Sequence, residues 1–135
     1  MANSLYMKGI EALMKGQVDL DTDTIKVTLI DVADYTVDLA AHDFINDVPA
    51  GARVATATLA NTTVTGGAFD ADDVTFSAVT GDQSEALVIW QDTGNEATSV
   101  LIYYGDTHTG LPVTPNGGDI SITWSSGASK IFKIG

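Results

Sequence analysis

The chain has 135 residues, no cysteine and a net charge of −12, from 18 acidic and six basic residues. This length favours one domain with its own core, and the absence of cysteine excludes disulfides and thiolate metal sites. Residues 54–129 hold nine acidic residues and no lysine or arginine, so we expect no nucleic-acid partner. No stretch approaches the roughly 20 apolar residues of a membrane span, and residues 1–16 lack a signal-peptide pattern, which predicts a soluble protein without a membrane partner.

The first segment, "NSLYMKGIEALMKG", is the only one with helical periodicity, and it predicts an N-terminal helix of about three turns within residues 1–16. Asn3 or Ser4 suits the N-cap, and Gly16 suits the C-terminal stop. A helix this short must dock its apolar stripe, either on its own sheet, which we favour, or on a neighbouring protein as an interaction arm. The stripe, which is also the candidate partner interface, consists of Leu5, Tyr6, Ile10, Leu13 and Met14.

After the helix, the hydrophobic period changes to two, which is typical of strands. In "TIKVTLIDV", Ile25, Val27 and Leu29 share one face, which predicts a half-buried strand. The stretch "ADYTVDLAAHDFINDVPAG" then predicts a long connection with one helical turn around residues 41–44. Further strand-like runs follow in this order: "ARVATATLAN", "TTVTGGAFDA", "DVTFSAV", "EALVIWQD", "SVLIYYGD", "DISITW" and "SKIFKI".

Seven or eight short strands, separated by glycine-rich and asparagine-rich turns, predict a single mainly β domain over residues 1–135. Its fold class is an antiparallel β-sandwich or small, jelly-roll-like barrel with one short N-terminal α-helix. The stretch "GLPVTPNGGDISITW" is interpreted as a turn rather than as a ligand-binding loop. Asn116-Gly117 tolerates positive φ, and the alternating run that follows fits a hairpin or a tight corner.

Two acidic clusters contain carboxylates of the kind that bind metal ions. Asp19, Asp21 and Asp23 match the first three ligands of a helix-loop-helix calcium loop, but Thr24 and Ile30 stand where it needs glycine and glutamate. We interpret these acids as an exposed alternating edge before the strand. A surface calcium near Asp70, Asp72 and Asp73 is the alternative to a solvated turn there. The prediction is that the chain holds no metal and no cofactor.

The two histidines, His42 and His108, each lie near an acidic residue, but nothing in the sequence fixes their separation. No nucleophile elbow, phosphate-binding loop or zinc-protease motif accompanies them. We therefore predict that the protein is not an enzyme and has no catalytic residues. Tyr103 and Tyr104 are adjacent in a predicted strand, so they should face opposite sides, with one of them near the surface or an interface.

Three blocks of the sequence, read together, resemble a known family: "LYMKGIEALMKGQVDLDTDTIKVTLIDVADYTVDLAAHDFINDV", "VTGGAFDADDVTFSAV" and "TGLPVTPNGGDISITW…KIFKIG". They are similar to small structural proteins of tailed bacteriophage virions, and we connect them with head decoration, or capsid cement, proteins. The similarity covers nearly the whole chain, from Leu5 to Ile134, and it carries over no binding residues.

This resemblance implies a β-rich virion protein, made in the host cytoplasm, that sits on the outer surface of the capsid. Its partners would be the major capsid protein and itself, as a homo-oligomer and most simply a trimer. The net charge favours the exterior, because an acidic protein is repelled by packaged DNA. Two alternatives are a fibre domain that binds a receptor or carbohydrate, and a structural component of the tail or of head completion.

Overall fold

The computed structural model describes residues 3–134. They form ten strands, one α-helix near the N-terminus and two short 3-10 turns, and the strand pairs are antiparallel. The prediction of a mainly β, antiparallel sandwich with one short N-terminal helix is confirmed. The elements are β1 (Ser4–Leu5), α1 (Met7–Met14), β2 (Ile25–Ile30), β3 (Arg53–Thr58), β4 (Thr63–Thr65), β5 (Ala68–Asp70), β6 (Val74–Phe76), β7 (Ala86–Gln91), β8 (Leu101–Gly105), β9 (Ile120–Ile122) and β10 (Phe132–Lys133).

A five-stranded sheet, in the order β1-β8-β7-β2-β3, forms the centre of the fold. Two smaller sheets, β10-β5-β4 and β6-β9, cover one of its faces. Phe69 of β5, Phe76 of β6 and Ile122 of β9 belong to the same buried cluster as Val27 and Leu29 of β2. Burying each such side chain stabilises the fold by about 1.5–3 kcal/mol.

The opposite face of the central sheet is covered by the connection between β2 and β3. Ile45 and Val48 of this connection pack in one buried cluster with Val88 and Trp90 of β7. Strands β2 and β7 therefore have neighbours on both faces, and β2 is not half-buried as predicted. Its polar Thr28 is fully buried, and its hydroxyl accepts a hydrogen bond of 2.9 Å from Trp90 Nε1, which satisfies both groups.

The same second layer explains the two adjacent tyrosines of β8. Tyr103 and Tyr104 belong to different buried clusters, so they face opposite sides of the sheet as predicted. The prediction that one of them lies near the surface is wrong, because both are buried. The connection between β2 and β3 has no periodic pattern in the sequence, and it covers the face of the sheet on which Tyr104 lies, so the burial of Tyr104 could not be predicted.

The helix starts later than predicted. Ser4 and Leu5 pair with Tyr104 and Tyr103 of β8, so this segment is a strand and cannot cap the helix. Tyr6 occupies the N-cap position, without a side-chain cap. The predicted end is confirmed: Gly16 has a φ of 72°, and the amides of Gly16 and Gln17 donate to the carbonyls of Leu13 and Ala12, which is the Schellman arrangement.

The helix packs on its own sheet, as we favoured. Gly9 lies against β8, and a Cβ atom there would lie 2.4 Å from the Leu101 carbonyl oxygen. Of the candidate interface residues, Tyr6 is fully buried, Leu5 and Leu13 pack against the core, Ile10 is partly buried and Met14 is 82% exposed. Residues 3–16 are thus part of the domain, and only the outer face of the helix is open to a partner.

The connection between β2 and β3 contains two 3-10 turns, Ile45–Asp47 and Ala50–Ala52. The predicted helical turn at residues 41–44 is misplaced, because Phe44 is extended and forms a bridge with Val100. Arg53 holds the first 3-10 turn by donating to the Ile45 and Val48 carbonyl oxygens at 2.8 Å. Among residues 3–134, no helix has the length and apolar character needed to cross a membrane.

Candidate functional site

The glycine-rich stretch before β9 forms a long turn beside a cavity. Gly110 has a φ of 112°, and a Cβ atom there would lie 2.6 Å from the Ser121 carbonyl oxygen, so only glycine fits. Asn116 Oδ1 accepts from the Gly118 amide at 2.9 Å, which closes the turn. Strand β9 pairs with β6 rather than with the strand before it. The predicted turn is present, but it closes a long loop: Thr109 and Thr123, on its two sides, form an isolated antiparallel bridge, and no two-residue hairpin forms at Asn116-Gly117.

His108 is the central polar side chain at this cavity. It follows β8 by three residues and folds back over Gly105, where a Cβ atom would lie only 2.7 Å from the imidazole ring. The ring is buried, with 8% exposed, and its Nε2 and the Tyr103 hydroxyl are hydrogen-bonded at 2.8 Å. The Trp124 ring packs edge-on against it at 5.0 Å. Glycine, tyrosine and tryptophan together fix the imidazole in one orientation.

Burial decides the charge of this pair. Desolvation lowers the pKa of His108, and the nearby Asp106 carboxylate opposes this only in part. Burial, together with the same carboxylate, raises the pKa of Tyr103. At neutral pH both groups are uncharged, and each can donate one hydrogen bond and accept another. Within residues 3–134, the side-chain hydrogen bond of His108 goes to Tyr103 and not to a serine or threonine that it could activate.

The cavity itself has a volume of about 600 Å³ and is built from four separate parts of the chain. These are the N-terminal residues 3–5, the end of β8 with residues 107–109, the segment 123–125, and residues 129–133. Its wall combines the Tyr103 and Phe132 rings, stacked at 5.2 Å, with many neutral polar side chains. The hydroxyl-bearing residues on the wall are Ser4, Thr107, Thr109, Thr123, Ser125 and Ser129.

Two lysines distinguish the cavity from the rest of the acidic surface. Among residues 3–134, Lys130 and Lys133 line it and no carboxylate does. The other four basic residues form ion pairs: Lys8 and Lys15 with Glu11, Lys26 with Asp92, and Arg53 with Glu96. Neither cavity lysine forms an ion pair within the described part of the chain. The residues that line the cavity therefore carry a positive net charge, in contrast to the −12 of the whole chain, and Asp106 is the negative group near them.

His42, the other histidine, belongs to a separate network on the far side of the central sheet. The Asp38 amide and the Tyr35 hydroxyl both approach His42 Nδ1, at 3.3 Å and 2.8 Å. Because the amide can only donate, Nδ1 is an acceptor, so the Tyr35 hydroxyl donates to it and the Tyr6 hydroxyl donates to Tyr35 at 2.7 Å. Burial raises the pKa of Tyr35 to about 12 and that of Tyr6 further. The network joins the start of α1 to the irregular layer.

Of the acids predicted as an exposed alternating edge, Asp19 and Asp21 are exposed, but the three acids form a turn rather than an edge. Asp23 Oδ2 accepts from the Asp19 amide at 2.8 Å and from Gln91 Nε2 at 2.7 Å. Asp19 in turn accepts from the Asp21 amide at 3.4 Å, and this turn lowers the pKa of Asp19. These carboxylates accept hydrogen bonds from backbone amides of the turn. The segment therefore lacks the alternating, strand-like conformation that the sequence predicts.

The aspartates at the β5–β6 turn also have protein partners. Asp72 accepts from Asn61 Nδ2 at 2.6 Å, and Asp73 accepts from the Trp124 amide at 2.9 Å, while Asp70 ends β5. Among residues 3–134, the group of acids close enough to share a metal ion is a different one, Asp31, Asp34 and Asp82, whose carboxylate oxygens lie within 4.8 Å of one another. No local pattern in the sequence indicates this group, because Asp82 is distant from Asp31 and Asp34 along the chain.

The sequence matches no model of a known protein family and no curated protein. The relation to phage virion proteins consequently stays a prediction drawn from the sequence blocks. What the described geometry provides is one polar cavity with a positive rim, one internal tyrosine–histidine network and several open strand edges.

Proposed function

We propose that this chain is a structural protein of a tailed-bacteriophage virion, of the head decoration or capsid cement type. It binds the outer surface of the capsid as a homo-oligomer, most simply a trimer, and stabilises the expanded head by bridging capsomers. The proposal rests on the resemblance of the sequence blocks, and one structural observation supports it. That observation is an open strand edge beside an apolar groove.

The open edge belongs to β4, which ends the sheet β10-β5-β4 and, within the described part of the chain, pairs only with β5. All three of its residues are exposed, and the apolar Val64 at its centre is 47% exposed. A groove of about 480 Å³ lies next to Val64. Its walls come from the end of α1 and the turn after it, and they include Leu13, Val18, Leu20, Asp19 and Asp21.

The occupant that fits this surface is an extended segment of the major capsid protein. An open edge offers unpaired amides and carbonyls, to which a partner strand adds by backbone hydrogen bonds. Leu13, Val18 and Val64 would receive an apolar side chain of that segment. Asp19 and Asp21 would face a lysine or arginine, so charge complementarity sets the direction of docking.

Stabilisation of the capsid follows from differential binding. A decoration protein shifts the shell toward the expanded lattice only by as much as it binds that lattice more tightly than the unexpanded one. An oligomer that engages several capsomers at once multiplies modest contacts into a high effective affinity. A β domain that presents the same docking edge in each copy of the oligomer can perform this function, and no chemical step is required.

The test is co-sedimentation of the purified protein with expanded capsids of the phage that encodes it. Val64→Asp places a charge on the docking edge, and we expect it to remain folded but to lose at least about tenfold in capsid affinity. Val32→Asp is the matched control, because Val32 is also an exposed valine, at 38%, and lies outside β4 and the groove. Binding by Val32→Asp with loss in Val64→Asp supports the proposal, whereas equal binding by both variants contradicts the docking edge. Absence of binding by the unaltered protein contradicts the function.

A further inference from the structure

We infer that the cavity around His108 is a binding site for an acidic saccharide, a sugar that carries a carboxylate. The site is distinct from the β4 edge, which lies on other residues, and it gives the protein a second binding activity beside the proposed attachment to a capsid. Three features of the cavity lead to this ligand class: its charge, its hydroxyl groups and its aromatic floor.

The charge indicates an anion. Lys130 and Lys133 are the two basic residues without a carboxylate partner in the described part of the chain, and both line the same cavity. The Asp106 carboxylate acts on His108 from nearby but does not line the cavity. A bound carboxylate would complete two charge-assisted hydrogen bonds, which are about twice as strong as neutral ones.

The rim that carries these lysines is a defined structure. The Gly127 amide donates to Ser125 Oγ, and the Lys130 amide donates to the Gly127 carbonyl oxygen. Lys130 has a φ of 51°, an uncommon conformation for a residue other than glycine. Such conformations concentrate at ligand sites, where the surrounding structure holds them.

The hydroxyl groups indicate a polyhydroxyl ligand rather than a bare anion. Five wall residues, Ser4, Thr107, Thr109, Thr123 and Ser129, have hydroxyls that form no side-chain hydrogen bond to another described residue. Each can donate one hydrogen bond and accept two. A small inorganic anion has no donors to match these acceptors, whereas a sugar ring presents donors and acceptors on most of its carbons.

The floor of the cavity suits the ring of a sugar. Tyr103 and Phe132 stack on each other, and His108, held by Tyr103, brings a neutral imidazole to the same wall. A largely apolar floor with a few fixed polar groups is the usual construction of small-ligand sites, and about 600 Å³ lies within their usual range of roughly 300–1,000 Å³.

The experiment is an NMR titration of the full chain at low ionic strength. The acidic probes are glucuronate, galacturonate and N-acetylneuraminate, and the neutral ones are glucose, galactose and N-acetylglucosamine. Acetate and inorganic sulfate test whether an anion without a sugar ring also binds. We expect at least one acidic sugar to shift the amide signals of Thr107, Thr109 and Lys130 saturably, with a Kd in the millimolar range. Its neutral counterpart, acetate and sulfate should each bind at least about tenfold more weakly.

Variants separate a specific site from general charge attraction. The double variant Lys130→Gln, Lys133→Gln should weaken binding of the acidic sugar by about tenfold or more. Lys8→Gln, Lys15→Gln removes the same charge from the helix surface, away from the cavity, and should leave the affinity unchanged. Thr109→Val, Thr123→Val removes two hydroxyls with little change of shape and should weaken the acidic sugar but not sulfate.

Several outcomes overturn the inference. Absence of saturable shifts with all three acidic sugars removes the ligand class. Equal binding of acidic and neutral sugars makes the lysines irrelevant, and equal binding of sulfate or acetate reduces the cavity to an anion site. Equal losses in the two double-lysine variants would show only a general electrostatic effect. None of these results affects the capsid assay, because that assay reports on Val64.

Discussion

The molecule contains two tyrosine–histidine pairs that are alike in sequence and different in setting. Tyr35 and His42 are seven residues apart, Tyr103 and His108 are five apart, and in each pair the hydroxyl lies 2.8 Å from a ring nitrogen. The first pair ends a chain of hydrogen bonds that begins at the fully buried Tyr6. The second lines a cavity that opens to solvent.

The difference shows what decides whether such a pair is structural or is available for binding. In the first pair, His42 Nδ1 already receives the Tyr35 hydroxyl and the Asp38 amide, so its inner face is saturated by the protein. In the second, the described residues give His108 Nε2 one partner, the Tyr103 hydroxyl, and the pair lies beside the hydroxyl-bearing residues and two lysines that line the cavity. The residue types are the same in both pairs, and the pairs differ in the number of protein groups that bond the engaged ring nitrogen.

The largest expected effect comes from Gly105→Ala, which acts on the second pair alone. The new methyl group would lie 2.7 Å from the His108 ring and 2.9 Å from the Tyr103 ring, and both are buried. We expect a loss of about 2–3 kcal/mol in the free energy of unfolding, measured by urea denaturation. Gly51→Ala is the control, because no atom lies within 4 Å of its Cβ position. If both variants unfold at the same urea concentration, the close packing of His108 is wrong.

A smaller loss of unfolding free energy is expected when a tyrosine hydroxyl is removed, and its size should differ between the two pairs because they differ in access to water. Tyr6→Phe removes the first donor of the closed network and leaves the Tyr35 oxygen without that partner, so we expect a loss of about 1.5 kcal/mol. Tyr103→Phe removes the partner of His108, but water in the cavity can replace the lost hydroxyl, so a loss of about 0.5 kcal/mol is expected. Urea denaturation of both variants at pH 7 checks the order. The reverse order would contradict the distinction between an internal and an open pair.

The smallest effect is the pH dependence contributed by His108. Because burial lowers its pKa below the ordinary 6.5, the folded protein favours the neutral ring, and the unfolded chain binds a proton first as the pH falls. Stability from this residue is therefore complete above pH 6.5 and is lost as the pH falls below it. We expect His108→Gln to lose less stability than the unaltered protein between about pH 6.5 and pH 5, measured by urea midpoints at each pH. Parallel curves for the two proteins would contradict the shift.

The sequence predicted those parts of the fold that depend on local periodicity. Ile25, Val27 and Leu29 alternate as expected of a strand, and Gly16 ends the helix as its position suggested. The start of the helix could not be predicted, because the pairing of Ser4–Leu5 with β8 joins residues about a hundred positions apart. Long-range pairing overrides local helical preference, and no window of the sequence contains both partners.

The cavity could not be predicted from the sequence for the same reason, because its walls come from segments that are distant along the chain. The sequence indicates His108 as a candidate because of the acidic residue near it, but no pattern in the sequence connects His108 with Lys130 and Lys133. Pairing of β10 with β5 and of β1 with β8 brings Lys133, Ser4 and His108 to one wall. The internal network was missed as well, because Tyr6, Tyr35 and His42 come from a helix start and an irregular connection that has no periodic pattern.

We propose that this protein decorates a phage head, and imaging of the virion tests this proposal most directly. Cryo-electron microscopy of particles from the phage that encodes the chain, combined with quantitative mass spectrometry, gives its position and copy number. We predict density for this fold on the outer capsid surface, at a copy number comparable to that of the major capsid protein. Absence from the particle, or a few copies confined to the tail or fibres, would contradict the claim.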